Sequence, residues 1–175
     1  MKIVLIVIIG LVLAVAVMAL VAPRGYSVSR NILINLPEDK VFNAIRMLKF
    51  QNEWSVWGKL DPDAIYTYTG TDGTVGFVSA WQGNKAVGQG QQEIKNIIEG
   101  ERVDIELTFL KPFKSKADVY LTTETVSDST TRVTWGMTGK VPPPMNIMLL
   151  FGNFNEAIGK DYEKGLQNLK VKLEN

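Results

Sequence analysis

Apolar and polar positions change their rhythm several times along this sequence, and each change marks an element. Ile3–Ala22 has no rhythm at all, because its 20 residues include no charged or strongly polar side chain. At about 1.5 Å per residue this run makes a helix of roughly 30 Å, the thickness of a bilayer's hydrocarbon core. It predicts a single uncleaved transmembrane helix, with residues 1–24 as a membrane anchor. A cleaved signal peptide is the alternative. The only suitable cut follows Ala22, yet Leu20 stands where a small residue is wanted and Pro23 comes next. Lys2 and the α-amine nearly balance Arg24 and Arg30 across the span, so the charge rule leaves orientation almost tied. The short leading tail favours keeping that end inside, which places the rest of the chain on the extracytoplasmic side.

Beyond the leader, Tyr26–Asn35 alternates, with Val28, Ile32 and Ile34 in one phase, as in a half-buried strand. Pro37-Glu38-Asp39 then opens a helix, with proline in its first turn and acids at its positive end. Val41, Phe42, Ile45 and Leu48 give that helix an apolar face, and Gln51–Trp57 reads as one short aromatic turn. Six strands follow, separated by turn signals: Ala64–Thr69, Thr74–Trp81, Ala86–Ile98, Arg102–Leu110, Ser115–Val126 and Arg132–Gly139. Connections this short make consecutive strands antiparallel neighbours. After Pro142-Pro143-Pro144 the period changes again. Ile147, Phe151, Phe154, Ile158, Tyr162, Leu166, Leu169 and Leu173 form one helical stripe.

This order predicts an α+β fold for residues 25–175: a seven-stranded curved antiparallel sheet wrapped around a long C-terminal helix. A twisted sheet of long strands leaves a hollow under that helix unless large side chains fill it.

Composition then removes several kinds of function. Histidine and cysteine are both absent, which excludes imidazole bases, thiolate nucleophiles, disulfides and zinc-finger sites. With 19 basic and 18 acidic residues the net charge is +1, which argues against a nucleic-acid binder, since that needs a basic face to displace counterions. Asp61 and Asp63 sit in a proline loop with no third acid at metal-loop spacing. They read as loop solvation rather than a cation or acid–base site, and no metal or cofactor is expected. Lys111, Lys114 and Lys116 cluster beside Phe113. The ordinary reading is a solvated turn, and contact with anionic headgroups is the alternative.

Tyr26-x-Val28-x-Arg30-x-Ile32-x-Ile34 and then Leu36-Pro37-Glu38-Asp39-Lys40-Val41-Phe42 resemble the opening strand and helix of the START-like helix-grip superfamily (SRPBCC). That superfamily includes the polyketide cyclase/dehydrase and Bet v 1-like proteins. Trp54-Ser55-x-Trp57, Lys59-Leu60-Asp61-Pro62, Trp81-x-Gly83-Asn84 and Gly88-x-Gly90 are similar to its membrane-anchored bacterial members. So are Val133-x-Trp135 and Gly159-Lys160-Asp161-Tyr162-x-x-Gly165-Leu166. The resemblance covers nearly the whole chain. It implies an apolar cavity for lipids, sterols, polyketides or other hydrophobic molecules, and it brings no shared catalytic motif.

Strand phase nominates the wall of such a cavity. The inward sets are Val75, Phe77, Ser79, Trp81; Gly88, Gly90, Gln92, Ile94; Val103, Ile105, Leu107, Phe109; Ala117, Val119, Leu121; and Val133, Trp135, Met137. Phe77, Trp81, Gln92, Ile105, Leu107, Phe109, Val119, Trp135 and Met137 are the candidate ligand contacts on the sheet. Phe151, Phe154 and Ile158 join them from the final helix, with Trp54 and Trp57. These two tryptophans read either as a hydrophobic plug or as a cavity rim. Gln92 is the exception among apolar neighbours. An unpartnered buried amide costs about 1–3 kcal/mol, so it points to a ligand's polar end or a wet cavity. A bulge at the glycines would instead turn Gln92 outward and Glu93 inward. Gly88 and Gly90 do not open a dinucleotide site, because position 93 is Glu and the segment stays extended. Close approach of the final helix, or room for a ligand, explains them better. Gly152 and Gly159, seven apart on the final helix, pose the same choice between tight packing and free volume. Arg30, in phase with Val28 and Ile32, is the ionisable side chain best placed for a buried role.

Three functions remain compatible with these residues. The leading one is a membrane-tethered binding module for a hydrophobic small molecule or lipid. A cyclase/dehydrase-type enzyme would rely on substrate positioning with Tyr or a carboxylate. A protein-interaction or stress-response domain would have a filled core. The expected partners are the hydrophobic ligand and, through Ile3–Ala22, a membrane.

Overall fold

The computed structural model describes the backbone of residues 2–151 and 154–175, and the side chains of 3–151 and 155–175. Helix α1 (Lys2–Val21) is apolar on every side. Strand β1 (Gly25–Ile34) leads through Pro37 into α2 (Glu38–Ile45), whose first turn carries Glu38 and Asp39 at the positive end of the helix. Helix α3 (Leu48–Trp54) follows after Met47, which offers no capping side chain. Asp72 supplies the cap from a distant turn, accepting the N–H groups of Leu48 at 2.9 Å and Lys49 at 3.1 Å. Val41, Phe42, Ile45 and Leu48 are all buried.

The remaining strands are β2 (Ile65–Thr69), β3 (Val78–Gln82), β4 (Gln89–Ile98), β5 (Arg102–Lys111), β6 (Ser115–Ser127) and β7 (Thr130–Lys140). They form one antiparallel seven-stranded sheet in the order β1-β7-β6-β5-β4-β3-β2. The first strand therefore lies beside the last, in register from Gly25↔Lys140 to Ile34↔Thr131. Inward positions alternate as expected: Val103 and Ile105, then Ala117, Val119 and Leu121, then Val133, Trp135 and Met137 are buried. Helix α5 (Phe154–Glu174) lies across this face and buries Tyr162, Leu166 and Leu169 in the same core.

The third strand starts at Val78 rather than Thr74. Gly73 and Gly76 have φ of +74° and +86°, a left-handed conformation natural to glycine, so the chain turns there instead of extending. Val75 is consequently 60% exposed, not inward. Phe77 stays buried, and its carbonyl accepts the Ile94 N–H at 3.0 Å. The fourth strand starts at Gln89 rather than Ala86, because the Asn84 side-chain oxygen accepts the N–H groups of Ala86 and Val87 and holds a turn. The final stripe is also divided. A 3₁₀ turn (Met145–Ile147) and α4 (Met148–Phe151) precede α5. No residue of α4 is buried, since the sheet does not reach under it, and Phe151 is 77% exposed. The side chain of Phe154 and all of Gly152 lie outside the described residues.

The end of α1 is attached to the domain. Asn146 is fully buried, and its Nδ2 donates to the carbonyls of Ala19 at 2.8 Å and Ala22 at 3.1 Å. Those are carbonyls that a helix end leaves without intrahelical partners. The Val141 N–H donates to the Arg24 carbonyl at 2.8 Å and fixes the connecting residues as well.

Candidate functional site: a cavity beneath the final helix

Between the concave face of the sheet and α5 lies a cavity of about 540 Å³. Its wall includes Trp81 from β3, Gln92 from β4, Leu107 and Phe109 from β5, Val119 from β6, and Trp135 and Met137 from β7. Ile158 and Tyr162 close it from α5, and Trp57 closes it from the 3₁₀ turn after α3. Lys114, Lys116, Lys140, Met145 and Met148 stand around its mouth.

Nine of the candidate contacts thus face one space: Trp57, Trp81, Gln92, Leu107, Phe109, Val119, Trp135, Met137 and Ile158. Trp54, Phe77 and Ile105 are in the core but do not line the cavity. Phe77 lies under the Tyr68 ring, with centroids 6.1 Å apart. Ile105 is packed with Ile94 and Val119 on the neighbouring strands. Phe151 is a correction, for it faces outward from α4 and lines nothing here.

The floor is an aromatic cluster. Trp135 stacks on Tyr162 with centroids 4.0 Å apart and planes 3° apart. Trp57 meets both rings edge-on at 5.7 Å, and Trp54 meets Trp135 edge-on at 4.9 Å. Each such pair contributes about 0.5–1.5 kcal/mol beyond the area it buries. The choice between plug and rim resolves by residue. The extended Ser55 ends α3, leaving Trp54 fully buried as a plug and Trp57 half-buried as cavity wall.

The glycines serve close packing. A Cβ at Gly165 would stand 2.8 Å from the Trp135 ring, and one at Gly159 would collide with the Arg30 guanidinium. At Gly90 it would come within 2.5 Å of the Trp81 ring and the Thr108 carbonyl oxygen. The close neighbour there is thus an indole and a strand, not the final helix. Arg30 does not serve the cavity either. Its Nε donates to Glu163 Oε1 at 2.5 Å, pairing β1 with α5 at a partly exposed site. Asp61 holds its loop, accepting the N–H groups of Asn84 at 2.6 Å and Asp63 at 3.2 Å. Among the described residues no cluster of three potential metal ligands occurs.

Gln92 is half-buried, lines the cavity and sits in register with Leu107 and Ser79. The bulges in β4 fall at Gln89/Gly90 and Ile94/Asn96, so they leave Gln92 facing inward. Glu93 points to the other face and pairs with Lys95 at 3.0 Å.

Several lining residues were not among the sequence candidates: Tyr26, Tyr66, Tyr162 and Gln51. Gln51 is 2% exposed, and its Oε1 has no hydrogen-bond partner among the described residues; the same holds for the Trp135 Nε1. A signal for Gln51 did exist. Leu48, Gln51 and Trp54 are spaced by three, which places an amide on the buried face of α3.

Burial pushes the Tyr162 and Tyr26 phenols up from their ordinary range, and Tyr66 is raised by burial and then by Tyr68 and Asp61. A raised folded-state value favours the neutral phenol. The associated stability is present below about pH 10, the unfolded tyrosine value, and is lost as pH rises beyond it. Tyr162→Phe is therefore expected to flatten the alkaline fall in melting temperature while changing the pH 7 value little. Identical slopes between about pH 9 and 11, where tyrosine ordinarily titrates, would refute the assignment.

No protein-family model matches the sequence, and no curated protein matches it. Solved structures do match. A protein of Nitrosospira multiformis superposes with a TM-score of 0.60 at 18% identity, covering 85% of this chain and 96% of its own. Truncated norcoclaurine synthase of Thalictrum flavum gives 0.63 at 8% identity, covering 89% and 98%. Ara h 8.0201 gives 0.57 at 14% identity, covering 86% and 98%. The fold is a Bet v 1-like helix grip. Identities this low define the fold alone and leave function to be argued from the cavity.

Proposed function

We propose that this protein is a membrane-tethered binding module for a hydrophobic small molecule or lipid. Residues 1–24 act as an uncleaved anchor, and residues 25–175 form the binding domain on the extracytoplasmic side. The observation that carries the binding reading is the cavity of about 540 Å³ with its aromatic floor. Sites for organic ligands commonly occupy about 300–1,000 Å³, mostly apolar with a few polar groups that orient the ligand. Gln92 supplies such a group. Its amide carries both an acceptor and donors, which suits a hydroxyl, a group that gives one hydrogen bond and takes another. The anchor reading is supported by Ile3–Val21, whose mean hydropathy is 3.4 and which is almost wholly unburied. Signal sequences share that character, so retention in membranes after a carbonate wash is the measurement that separates the two.

The binding reading is tested on the fragment Gly25–Asn175, which keeps the whole main core. Native mass spectrometry of this fragment is expected to retain an organic mass, and the fragment to displace a fluorescent fatty-acid probe. Neither signal would leave the filled-core interaction domain as the better account. Gln92→Leu is expected to keep or raise thermal stability while weakening a hydroxyl-bearing ligand by about tenfold, the equivalent of one hydrogen bond. Unchanged affinity in the same displacement titration would remove Gln92 from the site.

A further inference from the structure

We infer that the rim of the cavity mouth is a membrane-docking surface, seated at the boundary between headgroups and acyl chains beside α1. The inference rests on the anchor reading above and adds where the cavity opens. Asn146 fixes the depth. It binds the Ala19 and Ala22 carbonyls, and Ala19 lies within the apolar run, two residues before α1 ends at Val21. At about 1.5 Å per residue that is roughly 3 Å inside the end of a span that matches the hydrocarbon thickness. Met145 and Met148 flank Asn146, line the mouth, and are 48% and 49% exposed.

Further apolar side chains are exposed on the two elements that adjoin the mouth, outside the cavity itself. Leu150 and Phe151 are exposed on α4, and Leu110 and Phe113 are exposed at the β5–β6 hairpin. The limb of that hairpin, Lys114–Lys116, forms another part of the mouth. Exposed apolar side chains gathered on the elements that frame an opening call for an occupant. Continuity with α1 selects the bilayer. The charges agree, for Arg24, Lys111, Lys114 and Lys140 are exposed cations around the same opening and suit anionic headgroups. The loop at Asp128 lies at the other end of β6, about 40 Å away at 3.3 Å per residue, and remains in water.

Because the chain lacks cysteine, single-cysteine variants give unambiguous labels. The full chain carries an environment-sensitive fluorophore at Phe113→Cys, Met148→Cys or Asp128→Cys, in phosphatidylcholine vesicles with a minority of phosphatidylglycerol. Labels at 113 and 148 are expected to emit further to the blue and to be quenched by spin-labelled lipid roughly twofold or more beyond the label at 128. Equal quenching at all three positions, in protein that survives a carbonate wash, overturns the docking surface and leaves the anchor intact. Release by carbonate overturns both. A blue shift at 113 and 148 without lipid quenching also overturns it, and assigns the rim to a second copy of this chain.

Discussion

Trp135→Ala is expected to destabilise the fold by about 3–5 kcal/mol, the range for truncating a buried large aromatic. Trp135 is 3% exposed and stacks on Tyr162, and both Trp54 and Trp57 rest on its edge. Its removal strips the common partner from three aromatic contacts, and Gly165 on α5 cannot fill the space. Denaturant titration of the soluble fragment measures the effect. A loss below about 1.5 kcal/mol would mean that the cluster repacks and is not the keystone of the floor. Trp135→Phe keeps a ring on Tyr162 and removes the indole N–H, so it is the companion variant. It is expected to retain most of the stability, because the N–H it removes has no partner to lose among the described residues.

Leu107→Trp is expected to separate binding from folding. Leu107 is half-buried on β5, opposite Gln92 on one side and Ala117 on the other, and its side chain lines the cavity. Enlarging a residue in a filled core costs about 1–3 kcal/mol. Here the added ring has open space to enter, so stability is expected to change by less than about 1 kcal/mol. Affinity for a probe that fills the cavity is expected to fall about tenfold or more, equivalent to 1.4 kcal/mol. Unaltered probe affinity in the folded variant would show that ligands bind elsewhere. A large loss of stability would show that the cavity closes in solution.

Much of the architecture was legible because strand alternation and short turns leave few alternatives. Val103 to Phe109, Ala117 to Leu121 and Val133 to Met137 face inward as their phase requires. The limits of that reasoning appear where the backbone turns without changing the pattern. Val75 alternates correctly with Phe77, yet Gly73 and Gly76 adopt positive φ and take Val75 out to water. Phe151 keeps helical spacing with Ile158, but α4 lies beyond the cover of the sheet. Within the site, phase separates inward from outward but not cavity wall from core. Ile105 and Leu107 share a face, two residues apart, and only Leu107 borders the cavity. That difference comes from which distant elements cover each part of the sheet, and no local period encodes it. Gln51 shows the opposite case, a polar residue at core spacing whose position was readable from α3 alone.

The placement of the tryptophans also makes the protein its own optical reporter. The sequence has 4 tryptophans; Trp57, Trp81 and Trp135 border the cavity, and Trp54 leans on Trp135. Their emission depends on the polarity around each ring, so filling the cavity changes the intrinsic signal with no dye attached. A saturable spectral shift on adding a hydrophobic compound therefore reads occupancy directly, and its absence in Leu107→Trp would need correction for the fifth indole that the substitution adds.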